Sequence, residues 1–99
     1  MIKIEPIEIW NNGKTIKLDA LNAYMVHDNL EDSMTLYYEL GYEEKIVQDE
    51  IENISYVYIQ NGNQTIDGKE YQNLDTHNGL DINEEIYRIL LKKLNLKKA

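Results

Sequence analysis

The densest group of residues able to do chemistry is a set of carboxylates in the middle of the chain. It consists of Glu43-Glu44 followed by Asp49-Glu50-x-Glu52. Carboxylate oxygens are the ligands that Ca²⁺ and Mg²⁺ prefer in proteins. The segment lacks the glycine-containing loop of an EF-hand, so its spacing favours a solvated acidic segment over a metal site.

A second acidic segment, residues 75–81, resembles a calcium-binding loop in its composition. If Gly79 takes the position of the loop glycine, Glu85 falls on the last ligand position, but Leu74 falls on the first. A leucine side chain cannot bind a cation. We therefore predict no calcium site here.

The two histidines, His27 and His77, form no His-x-x-His or His-Glu-x-x-His pair. His27-Asp28 offers half of an acid–base pair, but no Gly-x-Ser-x-Gly turn supplies a nucleophile. The chain has no cysteine, which excludes a disulfide framework, a thiolate zinc site and a cysteine nucleophile. We predict no catalytic residue, no metal site and no cofactor, and hence a protein that is not an enzyme.

Length and charge narrow the class of protein further. A chain of 99 residues predicts a single domain over residues 1–99. The net charge of −8 argues against direct binding to nucleic acid. No apolar run approaches the roughly 20 residues of a membrane helix, and the first six residues do not resemble a signal peptide. We expect no membrane contact and synthesis in the cytoplasm.

Residues of alternating polarity predict antiparallel strands in the first part of the chain. The runs cover residues 2–10, 15–27 and 33–42, with a hairpin turn at residues 11–14. The alternation changes phase at Pro6, which predicts a bulge on an edge strand. It weakens after Ala20, which predicts a bend there.

The next part of the chain is harder to assign. The acidic segment 43–53 is open between strand and loop. Residues 54–60 have β-branched or aromatic side chains on both faces of a strand, which predicts a strand covered on both sides. Thr65-Ile66 predicts a short additional strand. The turn signals in this part are Asn61-Gly62-Asn63, Asp67-Gly68 and Asn78-Gly79.

The C-terminal part changes to a helical period. Apolar residues at Ile86, Ile89, Leu90 and Leu94 predict an amphipathic helix over residues 83–94, with Asp81 or Asn83 as its N-cap. The predicted fold class is α+β and mainly β. It combines a small antiparallel sheet of four or five strands, arranged as a sandwich or a partly open barrel, with one C-terminal amphipathic helix.

The charges are unevenly distributed along the chain. Residues 1–27 are neutral overall, residues 28–85 carry a net charge of −13, and residues 86–99 carry +5. An acidic body with a basic tail can complement a second copy of itself or a lattice of mixed charge, whereas a solvated surface is the simpler alternative.

Three segments carry a resemblance to a known class of proteins: Met34-Thr-Leu-Tyr-Tyr-Glu-Leu40, Thr65-Ile-Asp-Gly-Lys-Glu-Tyr71 and Ile86-Tyr-Arg-Ile-Leu-Leu-Lys-Lys-Leu-Asn-Leu96. Over residues 33–96 the chain resembles small structural proteins of tailed bacteriophages. It departs from them in the long acidic segment 43–53, where a short turn would be expected. The resemblance implies a virion location and a non-enzymatic role, as an auxiliary capsid protein or as a tail or head–tail connector component.

We therefore expect a decoration protein that binds other virion proteins, with the major capsid protein as the main partner, and that can also bind itself. Eight tyrosines and one tryptophan suit a surface that a partner partly covers. The residues expected to touch a partner are Ile7, Ile9, Trp10, Tyr37, Lys97 and Lys98. The alternative is an acidic inhibitor that mimics DNA and binds a host nuclease or DNA-binding protein.

Overall fold

A computed structural model describes residues 1–74 and 82–99. Its four strands form one open antiparallel sheet in sequence order, with β1 and β4 at the edges. The strands are β1 (Ile2–Asn11), β2 (Lys14–Asp28), β3 (Ser33–Gln48) and β4 (Ile51–Asp67), and the helices are α1 (Gly68–Gln72) and α2 (Ile82–Lys93). The predicted α+β, mainly β fold with an antiparallel sheet and a C-terminal helix is confirmed. The described strands form one open layer, in place of the sandwich or partly open barrel that we expected.

Residues in left-handed backbone conformations make the sharp turns between the strands. Asn12 and Gly13, with φ of 50° and 82°, join β1 to β2, which confirms the predicted hairpin turn. In the β2–β3 connection, the Asn29 side-chain oxygen accepts hydrogen bonds from three successive backbone N–H groups, those of residues 31–33. Asp49 and Glu50, with φ of 55° and 65°, join β3 to β4.

Irregular pairing bends three of the strands. The register of β1 against β2 shifts between Lys3 and Ile7, on either side of Pro6, which confirms the predicted bulge on an edge strand. In β2 the register against β3 shifts after Ala23, close to the bend predicted after Ala20. In β4, Ile59 is an extra residue between the partners of Leu40 and Gly41.

The core lies between one face of the sheet and α2. Directly paired residues share a face, so Ile2, Leu21 and Leu40 lie in one row on this side. Helix α2 buries the predicted apolar stripe against the sheet. The main buried side chains are Ile4, Leu18, Leu21, Met34, Leu36, Leu40, Ile66, Leu74, Ile86, Ile89 and Leu90.

The bounds of α2 agree with the prediction to within one residue at each end. Asn83 lies inside the helix, so it is not the N-cap. The other candidate cap, Asp81, lies outside the described residues, as do His77, the Asn78-Gly79 turn and the acidic loop at residues 75–81.

A left-handed residue reverses the chain after α2. Asn95 has a φ of 56°, and the Leu96 N–H donates to the Leu91 carbonyl oxygen at 2.9 Å, as in a Schellman motif. The chain then runs back along β1. The Glu5 N–H donates to the Lys97 carbonyl oxygen at 2.7 Å, and the Ala99 N–H donates to the Lys3 carbonyl oxygen at 3.1 Å.

Three predictions for the second half of the chain are wrong. Thr65-Ile66 forms no additional strand but is the end of β4. Asn61-Gly62-Asn63 is not a turn but the middle of β4, where Gly62 lies beside the ring of Tyr38 on the paired strand. Residues 54–60 are not covered on both sides, because β4 is an edge strand and Ile54 is 57% exposed. The acidic segment 43–53, left open between strand and loop, is mostly strand.

Candidate protein-binding site

The outer part of the β3–β4 hairpin is a two-stranded ribbon that runs past the end of the four-stranded sheet. The described pairing of β2 with β3 ends at Ala20 and Gly41, whereas β3 and β4 stay paired as far as Gln48 and Ile51. We call residues 43–54 the ribbon. At about 3.4 Å per residue, each of its strands extends roughly 20 Å from the sheet.

The ribbon makes the molecule elongated. The principal dimensions are 50 × 32 × 22 Å, and the radius of gyration is 15.9 Å. A compact domain of this length has a radius of gyration of about 13 Å. The larger radius of gyration is expected for a molecule with a hairpin arm that does not fold back onto the core.

Large apolar side chains on the ribbon are exposed to solvent. Val47 is 71% exposed, Ile51 62%, Ile54 57% and Ile46 46%. The β1–β2 hairpin at the same end of the sheet behaves differently, because its isoleucines pack against the core; these are Ile7, Ile9 and Ile16. The ribbon therefore presents apolar surface that the described part of its own chain leaves uncovered.

Both faces of the ribbon carry an apolar pair. Val47 pairs with Glu52 and Lys45 with Ile54, so Val47 and Ile54 are diagonal neighbours on one face. By the same pairing, Ile46 and Ile51 are diagonal neighbours on the other face. A partner that covered either face would bury two aliphatic side chains.

The root of the ribbon is fixed to the first strand across the width of the sheet. Lys3, Ala20, Gly41 and Tyr58 form one row over all four strands. The Lys3 Nζ donates to the Glu43 Oε2 at 2.7 Å and lies 3.5 Å from an Asp19 carboxylate oxygen. The small residues in the middle of the row leave space for the lysine side chain to lie across β2.

Electrostatics and burial both act at this root. The hydrogen bond from Lys3 lowers the pKa of Glu43, and the same bond raises the pKa of Lys3. The Lys3 Nζ also lies 5.2 Å from the centre of the Tyr56 ring, and Tyr56 stacks on Tyr58 with 6.5 Å between ring centres. Burial raises the pKa of Tyr58. The root of the ribbon is therefore fixed by an ion pair and by aromatic contacts.

The ribbon is strongly acidic. Its twelve residues include five carboxylates and one lysine, a net charge of −4. Lys45 pairs with Glu52 at 3.6 Å, and both side chains are more than half exposed. Within the described ranges, no ion pair involves Glu44, Asp49 or Glu50.

A groove of about 570 Å³ lies between the start of β1 and helix α2. Ile2, Tyr87 and Leu91 supply apolar and aromatic surface in it, and Arg88 and Lys98 supply positive charge. Asn83 and Glu84, from the first turn of the helix, also line it. We call this the basic groove.

The sequence-predicted residues of β1 lie in two environments. Trp10 is 74% exposed beside the β1–β2 turn, where its side chain is open to a partner. Ile7 and Ile9 are half-buried and pack against the core, so much of their surface is already used. Neither is close to the ribbon in the pairing of the sheet.

Lys97 and Lys98 are exposed but lie on a segment that the sheet holds in place. Their stretch of backbone pairs with residues 3–5 of β1. The first half of the β1 edge is therefore covered by the C-terminal segment. From Ile7 onwards, no described strand pairs with this edge. Only there is a partner strand able to extend the sheet from β1.

Tyr37 lies beside an exposed patch that sequence reasoning missed. Its ring centre is 6.4 Å from that of Tyr24. Tyr24 is 51% exposed and Met25 50%, on the stretch of β2 that continues beyond the first residue of β1. The weakening alternation after Ala20 was the available signal, since it marks residues that serve no single buried face.

Within residues 1–74 and 82–99, no three histidine or acidic side chains are grouped so that they could hold a metal ion. His27 is exposed on β2. Among the helices of the same residues, none is long and apolar enough to span a membrane.

Comparison with known proteins gives no relative. The chain matches no protein-family model, no curated protein and no solved structure. The features that bear on function are therefore the ribbon, the basic groove and the charge distribution.

Proposed function

We propose that this protein is a non-enzymatic structural subunit that binds the other proteins of a larger assembly through the ribbon. The observation that supports this most is the exposure of four large aliphatic side chains on an arm that leaves the sheet. An isolated two-stranded hairpin is at best marginally stable in water. Exposed apolar surface on a strand edge is also a site where other chains attach. A partner that covers the arm resolves both problems.

The assembly we propose is the virion of a tailed bacteriophage, as the resemblance over residues 33–96 implies. The most suitable role there is an auxiliary or decoration protein of the capsid, bound to the major capsid protein, and a tail or head–tail connector component is the alternative within the virion. Such proteins work by protein–protein contact alone. A rigid base with a projecting arm is suited to that work, because the base fixes where the arm points.

The test is the copy number of the protein in purified virions of the phage that encodes it. We expect a fixed stoichiometry relative to the major capsid protein by quantitative mass spectrometry. Val47→Asp should reduce that copy number at least several-fold, since it buries a charge in the contact. The matched control is Leu30→Asp, which places the same charge on a residue that is 84% exposed in the β2–β3 loop.

Absence of the protein from virions overturns the virion assignment. Full incorporation of Val47→Asp and of Ile51→Asp, which change one face of the ribbon each, overturns the role of the ribbon. Circular dichroism and thermal unfolding of both variants establish that a loss of binding is not a loss of fold.

The acidic ribbon also bears on the DNA-mimic alternative, because five carboxylates on a narrow arm could occupy the basic cleft of a DNA-binding protein. The four exposed aliphatic residues favour a protein contact with an apolar component instead. The two proposals differ in competition experiments. A host nuclease or repressor that binds this protein and releases it on addition of duplex DNA would favour the mimic and count against the structural role.

A further inference from the structure

Two surfaces of this one chain are complementary in charge and in polarity. The ribbon carries a net charge of −4 between exposed aliphatic side chains. The basic groove has an apolar and aromatic lining from Ile2, Tyr87 and Leu91. Its charged lining residues are Lys98, Glu84 and Arg88, and Arg88 already binds Glu85, so the excess positive charge comes from Lys98 and from the lysines of the C-terminal region around the groove. Four of its lining residues, Tyr87, Arg88, Leu91 and Lys98, belong to residues 86–99, the part of the chain that has five basic residues and no acidic one.

The ribbon and the C-terminal region each have three charged side chains that form no ion pair with the described residues. On the ribbon they are Glu44, Asp49 and Glu50; in the C-terminal region they are Lys92, Lys97 and Lys98, none of which has an ion pair among the described residues. Opposite charges that meet in an interface increase the association rate and fix the orientation of the partners. The attraction is screened by salt, with a Debye length of about 8 Å at physiological ionic strength.

A ribbon cannot reach the groove of its own molecule. Successive residues of a strand point to opposite faces of the sheet, so Ile2, which lines the groove, and Lys3, which binds the root of the ribbon, lie on opposite faces. The Lys3–Glu43 bond fixes the root on the far side from α2. To enter its own groove, the ribbon would have to break that bond and cross the sheet.

A symmetric contact between two ribbons is also disfavoured. Each ribbon has a net charge of −4, so two ribbons side by side repel each other. A contact between the ribbon of one copy and the basic groove of another has attractive charges instead. Such a contact is heterologous, and repetition of it forms a ring or an open chain of subunits.

We propose that the ribbon of one copy binds in the basic groove of a second copy, so that the chains associate head to tail. This inference deepens the proposed structural function and rests on it: it names a second copy of this chain as one partner of the ribbon. The aliphatic residues of the ribbon contact the apolar lining of the groove, and its carboxylates pair with the lysines of the C-terminal region.

The experiment is sedimentation velocity of the full chain at increasing concentration, in about 50 mM and about 500 mM salt, where the Debye length falls from above 10 Å to below 5 Å. We expect the weight-average mass at low salt and high concentration to rise to at least twice the monomer mass of 11.7 kDa. High salt should shift the midpoint of association to at least several-fold higher concentration.

Charge reversal gives the decisive control. Variant one carries Glu44→Lys, Asp49→Lys and Glu50→Lys, and variant two carries Lys92→Glu, Lys97→Glu and Lys98→Glu. Each variant alone has two surfaces of equal sign and should stay monomeric. A mixture of the two should associate again, because the reversed ribbon of one variant is opposite in charge to the reversed C-terminal region of the other.

Two outcomes overturn the proposal. One is a wild-type chain that stays monomeric at all concentrations in low salt. The other is a mixture that fails to associate while both variants have the circular dichroism and unfolding temperature of a folded protein. Neither outcome affects the proposed structural function, which virion copy number and Val47→Asp test through contacts with a different protein. If Val47→Asp is lost from virions while the wild-type chain stays monomeric, the ribbon binds a different protein and not a second copy of this chain.

Discussion

Lys3 and Glu43 are separated by a whole strand in the sheet, yet the Lys3 Nζ lies 2.7 Å from the Glu43 Oε2. The lysine lies on edge strand β1, and the glutamate is the first residue of the ribbon, on β3. The side chain passes over β2 at the position of Ala20, the direct pairing partner of Lys3. This bond connects the outermost strand to the arm that we propose as the binding element.

The first prediction concerns this connection. Lys3→Met keeps most of the apolar stem but removes the ammonium group, so the root of the ribbon should open more often. We expect several-fold faster amide hydrogen exchange around Glu43 and Tyr56, with little change in α2. Lys17→Met, on an exposed residue of β2, is the matched control. Unchanged exchange at the root in Lys3→Met would mean that backbone pairing alone holds the ribbon.

The second prediction contrasts two glycines of the sheet. A side-chain carbon on Gly41 would lie 2.8 Å from the Tyr58 Cα and would meet the Val57 carbonyl oxygen, both of which are backbone. On Gly62 the nearest atom, at 2.5 Å, is the hydroxyl oxygen of Tyr38, the far end of a flexible side chain. Gly41→Ala should therefore lower the free energy of unfolding by about 1–3 kcal/mol.

Gly62→Ala should cost less, because the Tyr38 ring can move away from the new methyl group. The smaller clash is then largely offset by the stabilisation of about 0.4–1 kcal/mol that either alanine gains from a less flexible unfolded chain. Urea unfolding of both variants measures the two values. Equal stability of the two variants would contradict the close approach of β4 to Gly41.

The β1–β2 hairpin and helix α2 could be predicted from local signals. Asn12-Gly13 specified its turn because both residues tolerate positive φ, and Pro6 marked the bulge because it cannot donate to a neighbouring strand. The stripe at Ile86, Ile89 and Leu90 gave the helix because its period matches one buried face. These signals work because each depends on residues close together in the chain.

The ribbon could not be predicted, because its sequence lacks the features on which strand prediction depends. Its aliphatic residues serve two faces and neither is buried by the sheet, so Ile46 and Val47 are adjacent in place of alternating. Its turn, Asp49-Glu50, has no glycine although both residues have positive φ. What makes this segment a strand is its pairing with β4, which is a relationship between residues distant in the chain.

The third prediction is a dependence of stability on pH at the other end of the sheet. The Tyr71 hydroxyl donates to an Asp28 carboxylate oxygen at 2.7 Å and lowers the pKa of Asp28, and the Leu30 N–H lowers it further. An unfolded aspartate has a pKa of about 3.9. The stabilisation is therefore complete above that pH and is lost as the pH falls through the lower pKa of the folded state.

The same bond raises the pKa of Tyr71, so its contribution is complete below the ordinary tyrosine pKa of about 10 and is lost as the pH rises through the raised value. Tyr71→Phe should lower the unfolding temperature at neutral pH, and this deficit should shrink as the pH falls below the ordinary aspartate pKa of about 3.9. Tyr24→Phe is the control, since Tyr24 is exposed on β2. A deficit in Tyr71→Phe that is equal at pH 7 and pH 2 would exclude Asp28 as the charged acceptor.

The last prediction concerns the one carboxylate that the described part of the chain buries. The Glu85 side chain is 2% exposed, and both of its oxygens accept hydrogen bonds from Arg88, one turn along α2; the Nε–Oε2 distance is 3.2 Å. Arg88→Met leaves this buried charge without its guanidinium. We expect the free energy of unfolding to fall by about 1–3 kcal/mol, measured by urea unfolding.

The double variant Glu85→Met with Arg88→Met should recover part of that loss, because two apolar side chains in place of a buried ion pair are often neutral or stabilising. Recovery separates the cost of an uncompensated charge from a loss of packing by the arginine stem. Arg88 also lines the basic groove, but the double variant removes the Glu85 carboxylate together with the guanidinium, so the net charge beside the groove is unchanged. Its association at low salt should therefore stay close to that of the wild type. A double variant less stable than Arg88→Met would contradict the pairing of Glu85 with Arg88.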